Sequence, residues 1–148
     1  MTSTNSPSSP PPTLKTIMGF DFGLQKIGIA IGQMVTKTAT PLTIINAREG
    51  KPNWVLLDPV VAEWQPDLLV VGNPLNMDGS ESELSLRAKK FSRRVAARYA
   101  IETVIMDERL STRAARERAD LDDHTGPVDA YAAAIIIENW LYHKAPQI

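Results

Sequence analysis

Cysteine is missing from this chain of 148 residues, and histidine occurs only twice, as His124 and His143. Without cysteine the protein can form no disulfide, no thiolate metal site and no cysteine nucleophile. Zinc hydrolases and serine nucleophiles both depend on histidine, so its scarcity argues against both classes. Carboxylates are therefore the side chains from which a metal site would have to be built.

Long hydrophobic runs and a strong net charge are missing as well. Uninterrupted apolar runs such as Tyr131–Ile137 are far shorter than the roughly 20 residues that a membrane-spanning helix needs. The start of the chain has neither the basic residues nor the apolar stretch of a secretion signal, so we expect a cytoplasmic protein. The 16 basic and 17 acidic residues argue against a general nucleic-acid coat but leave room for local basic patches.

The composition divides the chain into a tail and one domain. Residues 1–14 are mostly Ser, Thr, Asn and Pro, and Pro10–Pro12 keeps the backbone extended. Because such a segment cannot bury apolar surface, we predict a disordered tail. Residues 15–148 are enough for one domain with a single sizeable core.

The apolar pattern of residues 15–148 predicts an α/β fold. Two apolar runs, from Ile17 to Gly23 and from Ile27 to Gly32, follow each other as closely as the strands of a hairpin. Helical spacing of apolar residues predicts a helix from Trp54 to Trp64. It predicts another from about Glu81 to Tyr99, which a capping box at Ser80–Glu83 opens. The other predicted elements are the strands Leu42–Ile45, Leu68–Gly72 and Thr103–Glu108, and the helices Thr112–Arg118 and one opened by Gly126–Pro127. This order predicts a mixed sheet with helices on both faces.

Three acidic residues interrupt otherwise apolar segments. Asp21 lies between two phenylalanines, Glu108 ends an apolar strand, and Asp129 lies in the first turn of the apolar last helix. An isolated buried carboxylate costs several kcal/mol, which is comparable with the net stability of a domain. Taken singly, Asp129 could favour the helix dipole, and Glu108 could pair with an arginine at the surface. Taken together, the three acids predict a divalent metal site.

Phosphodiester cleavage is the reaction that such a site favours. Two Mg²⁺ or Mn²⁺ ions about 4 Å apart can activate a water and stabilise the leaving oxygen. Carboxylate oxygens are the hard ligands that these ions prefer. We therefore predict a metal-dependent nuclease whose catalytic and metal-binding residues are Asp21, Glu108 and Asp129.

Three motifs resemble the YqgF family. They are DFGLQKIGIA at Asp21–Ala30, GNPLNMDGS at Gly72–Ser80 and DERLST at Asp107–Thr112, and the similarity runs from about Thr16 to Tyr142. Members of that family are described as candidate pre-16S rRNA nucleases and were earlier proposed to be Holliday-junction resolvases. The resemblance implies an RNase H-like fold with a five-stranded mixed sheet whose first three strands are antiparallel.

The resemblance also implies roles for individual residues. The three acids match the family's first-strand acid, the glutamate of its DER motif and the acid that opens its last helix. Lys26 and Arg109 would contact the scissile phosphate. Asn76 and Asp78 would lie near the substrate, in a loop at the edge of the site.

One segment departs from the family's pattern. Between Thr112 and Asp129 the family usually has a longer stretch that contains glycine and lysine, whereas this chain is short and acidic there. The role of the segment Asp120–His124 stays open. Either Asp122 or Asp123 is a further candidate for the metal site.

The helix that ends at Tyr99 carries six basic residues, and four of them share one flank at 100° per residue: Arg87, Lys90, Arg94 and Arg98. A phosphate backbone could bind along this flank and give salt-sensitive affinity. The flank could equally be a solvated surface whose late cations complement the helix dipole. With the family resemblance the first interpretation is favoured, and we predict that Arg87, Lys90 and Arg94 bind nucleic acid.

Several functions are compatible with these features. The resemblance favours an RNA nuclease that trims the 5′ end of the small-subunit rRNA precursor. A Holliday-junction resolvase is the alternative, but it should be a stable dimer. No strong dimer face is visible in the sequence, so we expect a monomer or a weak homodimer. Sugar kinases and actin-like ATPases share this core but need a second domain, and a non-catalytic nucleic-acid-binding factor in transcription or ribosome assembly is the remaining candidate.

Overall fold

The computed structural model describes residues 15–108 and 128–143, without the side chains of Val128 and Asp129. Some features predicted from the sequence lie outside the described residues: the tail of residues 1–14, Arg109, the helix Thr112–Arg118, the acidic segment Asp120–His124 and the helix opening at Gly126–Pro127.

The described residues form a six-stranded sheet and three helices. In chain order the elements are β1 (Thr16–Asp21), β2 (Lys26–Gln33), β3 (Thr38–Arg48), β4 (Lys51–Pro52), α1 (Trp54–Trp64), β5 (Leu68–Asn73), α2 (Glu83–Tyr99), β6 (Thr103–Asp107) and α3 (Val128–His143). The strand order is β4-β3-β2-β1-β5-β6. The strands β1 to β4 pair antiparallel, whereas β5 pairs parallel with β1 and with β6. Within the described ranges, no helix has the length and apolar character that a membrane crossing requires.

This architecture confirms the predicted mixed sheet and its antiparallel first three strands, and it corrects the strand number from five to six. The additional strand, β4, arises from a tight turn at Glu49 and Gly50, where φ is 52° and 83°. Positive φ at both central residues is typical of a type I′ hairpin turn. The turn pairs Arg48 with Lys51, so the chain doubles back after β3.

The helix boundaries follow from their capping residues. The bounds of α1 are those predicted, and the Asn53 side chain accepts a hydrogen bond from the Val55 N–H at its start. The helix α2 begins later than predicted, because Ser82 and not Ser80 is its capping residue and accepts from the Ser85 N–H. The predicted capping box at Ser80–Glu83 is therefore wrong.

Each face of the sheet is covered by its own apolar core. Phe20 and Val71 belong to the core under α1 and α2, whereas Ile17 and Val70 belong to the core under α3. Side chains alternate between the two faces along a strand. Asp21, four residues after Ile17 in the same strand, is therefore on the α3 face.

Two glycines bring α3 directly onto the backbone of the sheet. A Cβ atom on Gly19 would lie 2.5 Å from Ile137 Cγ1 and 3.0 Å from the Ala133 carbonyl oxygen, and one on Gly32 would lie 2.5 Å from Ile137 Cγ2. Since Gly32 pairs with Ile17, the helix passes Gly19 first and then moves toward the start of β1. The first turn of α3 therefore comes to the end of the sheet where β1 finishes.

Candidate functional site

Asp21 and Glu108 lie at the same edge of the sheet. Asp21 is the last residue of β1, and Glu108 directly follows β6, with β5 between the two strands. Because β1, β5 and β6 are parallel, their carboxyl ends meet at one edge. Both acids are partly buried there. Glu108 lies at the end of a strand as predicted, and the roles of both acids as metal ligands stay predictions.

Gly72 lets the Glu108 side chain extend over β5. A Cβ atom on Gly72 would lie 3.0 Å from Glu108 Cγ and 3.1 Å from its Cδ, so the glutamate occupies the space above this glycine. Phe20 pairs with Val71, and the same register places Gly72 beside Asp21. The Glu108 carboxyl group is thus about one strand spacing, roughly 5 Å, from the strand that carries Asp21.

Position 129 precedes the part of α3 that packs on β1. A helix rises about 1.5 Å per residue, so position 129 is about 6 Å before Ala133 along the helix, and the Ala133 carbonyl oxygen lies over Gly19. Asp21 follows Gly19 by two residues in β1. The Asp129 side chain lies outside the described residues, so its approach to Asp21 stays a prediction.

The described side chains alone do not form a three-ligand metal site. Among residues 15–108 and 130–143, no group of three His, Cys, Asp or Glu side chains could hold a metal ion. Asp107, although adjacent to Glu108, therefore does not complete such a group with Asp21. The meeting of all three predicted acids stays a prediction that depends on Asp129.

The predicted substrate loop after β5 is held by its own polar side chains. Asp78 Oδ1 accepts hydrogen bonds from the Ser80 N–H at 2.9 Å and from the Ser80 hydroxyl at 2.6 Å. The Asn76 amide donates to Ser80 Oγ at 3.0 Å, and the Ser82 hydroxyl donates to the Pro74 carbonyl at 2.8 Å. Asn76 and Asp78 therefore fix the shape of the loop, and their contact with substrate stays a prediction.

Lys26 lies at the same end of the sheet as the acids. It opens β2 two residues before Gly28, which is the partner of Asp21, and its side chain is exposed. Alternation along β2 puts Lys26 and Gly28 on the same face. Its predicted contact with a phosphate is therefore compatible with its place in the fold.

The basic flank of α2 is divided in two. Arg87, Lys90 and Arg94 line a groove of about 370 Å³ against the β3–β4 turn, which adds Glu49, Gly50 and Lys51, with Phe22 at the bottom. Gly50 and Lys51 could not be predicted as groove residues, because the Glu49–Gly50 pair is not one of the common hairpin-turn dipeptides.

Arg98 does not belong to this groove. Its guanidinium donates to both carboxylate oxygens of Asp58, at 2.8 and 2.7 Å, and lies 4.4 Å from the centre of the Trp54 ring. These hydrogen bonds, together with one from the Tyr99 hydroxyl, lower the pKa of Asp58 to about 2. Arg98 therefore ties α2 to α1, and the three residues predicted to bind nucleic acid remain in the groove.

A sheet of this order, with acids at the edge where its parallel strands end, defines the RNase H-like class. The fold resembles that of RuvC from T. thermophilus in complex with a Holliday junction substrate, with a TM-score of 0.59. That match covers 86% of this chain and 94% of the other, at 14% sequence identity. The predicted fold class is confirmed.

The chain belongs to the RuvX family. The family model, described as "RuvX: Holliday junction resolvase", matches residues 15–143. A protein of Saccharophagus degradans named "Putative pre-16S rRNA nuclease" is 47% identical over 139 residues, which cover 90% of this chain and 98% of that protein. A protein of the same name from Pectobacterium carotovorum is 50% identical over 133 residues, covering 85% and 94% respectively. These relatives carry the name that the sequence analysis connected with YqgF proteins, that of a pre-16S rRNA nuclease. The predicted resemblance to that family and the nuclease class are therefore confirmed at the level of the family.

Proposed function

We propose that this protein is a metal-dependent nuclease that cleaves RNA phosphodiester bonds and processes the 5′ end of pre-16S rRNA in the cytoplasm. The observation that carries the proposal is the placement of the Glu108 side chain over Gly72, beside Asp21, at the edge that α3 also reaches. The names of the two bacterial relatives favour precursor rRNA as the substrate.

The donor set fits Mg²⁺ or Mn²⁺. Asp21 and Glu108 offer carboxylate oxygens at one edge, and Asp129, in the first turn of α3, is the proposed third ligand. Carboxylate oxygens suit these hard ions, and cysteine is absent from the chain. One or two such ions supply water activation and stabilisation of the leaving oxygen in phosphodiester cleavage.

The residues of the chain itself position these groups. Asp21 is fixed by strand pairing on both sides of β1, and Gly72 leaves the space in which Glu108 extends. Lys26 and Arg109 are proposed to contact the scissile phosphate. The loop that carries Asn76 and Asp78 is already hydrogen-bonded, so it presents a preformed edge to the substrate. Such preorganisation saves the cost of ordering groups during the reaction.

Four-way junction cleavage is the second candidate. The description of the family favours it, and the fold is shared with RuvC. A symmetric cut of two strands requires two sites, hence a dimer. Light scattering at the protein concentration of the cleavage assay measures this directly, and a monomer that cleaves RNA would eliminate the resolvase as the main activity.

Cleavage of two substrates tests the proposal. The purified protein, with Mg²⁺ or Mn²⁺, is incubated with 5′-extended precursor rRNA and separately with a synthetic four-way DNA junction. We expect metal-dependent cleavage of the RNA, and a loss of at least about a hundredfold in Asp21→Asn and in Glu108→Gln, since even groups that only support a metal ligand contribute 10–100-fold.

Glu102→Gln is the matched control for Glu108→Gln. Glu102 is an exposed acid that precedes the same strand, β6, at its opposite end. The Glu102→Gln variant should cleave the precursor rRNA like the unmodified protein. Equal cleavage by all preparations would contradict the site, and junction cleavage without RNA cleavage would replace the proposed substrate by branched DNA.

A further inference from the structure

The groove between the β3–β4 turn and α2 has a rigid wall on the turn side. The Gly50 N–H donates to the Leu24 carbonyl at 3.0 Å, and a Cβ atom on Gly50 would lie 2.8 Å from Phe22 Cζ. Arg87 Nη1 donates to the Glu49 carbonyl at 3.3 Å and so bridges the groove. The turn is thereby held against both the β1–β2 loop and α2, with Lys51 directly after it.

The helix side of the groove carries three cations in a row. Arg87, Lys90 and Arg94 succeed one another at intervals of three and four residues, so they share one face of α2. From Arg87 to Arg94 the helix rises about 10.5 Å. At about 3.4 Å per nucleotide of a stacked strand, this distance corresponds to roughly three nucleotides.

The charges of the groove are mostly uncompensated. Among the described residues that line it, four are cations (Lys51, Arg87, Lys90 and Arg94) and one, Glu49, is an acid. In the described part of the chain, no carboxylate forms an ion pair with Lys51, Lys90 or Arg94. Arg87 pairs with Glu83 at 3.7 Å, a distance at which an exposed pair is weak. Most of the positive charge is therefore available to an anionic ligand.

The groove adjoins the proposed metal site through two residues that are neighbours in the chain, Phe22 and Asp21. Phe22 forms its bottom and packs on Phe91, with 5.4 Å between the ring centres, and it directly follows Asp21 in the chain. Asp21 is on the α3 face, whereas Phe22 is in the core under α1 and α2. The two sites therefore lie on opposite faces of the sheet and share the edge where β1 ends.

We propose that this groove binds the sugar–phosphate backbone of the substrate strand next to the cleavage position, with Lys51, Lys90 and Arg94 as its phosphate contacts. The strand passes over the sheet edge between the acids and the groove. The inference rests on the proposed function for the identity of the strand. The groove adds a second wall, the turn with Lys51, to the helix residues that the sequence predicted.

Binding without cleavage tests the groove separately. The protein with Asp21→Asn, in EDTA, is titrated with a fluorescent single-stranded oligouridylate over a range of salt concentrations. We expect Lys51→Gln, Lys90→Gln and Arg94→Gln each to weaken binding by about fivefold at low salt. Each should also lower the slope of log Kd against log salt by about 0.7, the value for one phosphate contact of a single strand.

Two further variants separate the groove from general charge effects. Arg93→Gln removes one cation from an exposed position of the same helix outside the groove, and it should change Kd by less than twofold. Glu49→Gln removes the single acid of the groove and should tighten binding by about twofold. Equal effects of Lys51→Gln, Lys90→Gln and Arg93→Gln would overturn the proposal.

The outcomes for the groove and for the nuclease are distinguishable. Selective loss of binding in the groove variants, with no cleavage of any nucleic acid by the unmodified protein, would support the groove and reject the nuclease. Cleavage of RNA, with groove variants that bind like Arg93→Gln, would retain the nuclease and reject the groove.

Discussion

Gly72 ends the apolar part of β5, and two neighbouring side chains occupy the space where its own would lie. A Cβ atom there would be 2.5 Å from Ile136 Cδ1 in α3 and 3.0 Å from Glu108 Cγ. The isoleucine is the flexible end of a side chain and can move, whereas the glutamate is a proposed metal ligand. A methyl group at position 72 would therefore mainly displace the Glu108 side chain.

Gly72→Ala is expected to lower nuclease activity by about a hundredfold, because a displacement of about 1 Å in a positioned group can cost that much. The free energy of unfolding should fall by only about 1–3 kcal/mol, the usual cost of added volume in a packed core. Single-turnover cleavage rates and urea unfolding measure the two effects.

Gly19→Ala is the matched control for Gly72→Ala. It also introduces a methyl group under α3, 2.5 Å from Ile137 Cγ1 and 3.0 Å from the Ala133 carbonyl oxygen. It should cost at least as much stability while leaving more activity in the folded protein. A smaller loss of activity in Gly72→Ala than in Gly19→Ala would show that the space above Gly72 does not position Glu108.

One polar contact joins α1 to the end of α2. Asp58 accepts from Arg98 and from the Tyr99 hydroxyl, and the latter bond is 2.7 Å long. Burial, and then the bond to Asp58, raises the pKa of Tyr99, while the bond to Asp58 raises that of Arg98. The contact holds the helix pair together beside the groove.

The pH dependence of stability should reveal this contact. The pKa of Asp58 is lowered to about 2 from an ordinary value of 3.8, so its contribution is fully present above about pH 4 and is lost as pH falls toward 2. Asp58→Asn should therefore reduce stability at pH 7 and flatten the decline between pH 4 and 2. Urea unfolding across this range tests it, with Glu63→Gln, an exposed acid of the same helix, as the control.

The bounds of α1 and β3 show which parts of the fold can be predicted from the sequence. The apolar spacing from Trp54 to Trp64 defined α1, because its capping side chain and its apolar face agree. The strand β3 is much longer than the predicted Leu42–Ile45, and its outer residues are exposed or half-buried while they pair with β2. Strand pairing of this kind leaves little apolar signal in a sequence.

Only part of the candidate site could be predicted from the sequence. Asp21 and Glu108 were visible as acids that interrupt or end apolar strands, and both lie where those strands end. Gly72 and Lys51 act through neighbours that are distant in the chain: Gly72 through Glu108, and Lys51 through α2. Only the folded arrangement brings these partners together, so the sequence alone could not single them out.

At the scale of the whole molecule, a bound metal ion would connect β1, β6 and α3. These elements belong to separate parts of the chain, and a ligand that binds only the folded state stabilises it by mass action. At a hundredfold excess over Kd, Mn²⁺ should add about 2.7 kcal/mol to the free energy of unfolding.

Thermal unfolding in Mn²⁺ and in EDTA measures this coupling. We expect the Tm of the unmodified protein and of Glu102→Gln to rise by several degrees with Mn²⁺, and that of Asp21→Asn and Glu108→Gln to stay unchanged. An equal rise in all four proteins would show that the metal binds elsewhere.

The neighbouring positions Asp21 and Phe22 serve opposite sides of the sheet. The face that each side chain reaches depends on whether its position along β1 is odd or even, since each residue of a strand faces away from the next one. A deletion of one residue upstream in this strand would carry the aromatic ring to the acidic edge and the carboxyl group beneath α2. Length, as well as composition, is therefore a constraint on this strand, and a library of single-residue deletions should tolerate none between Ile17 and Phe20.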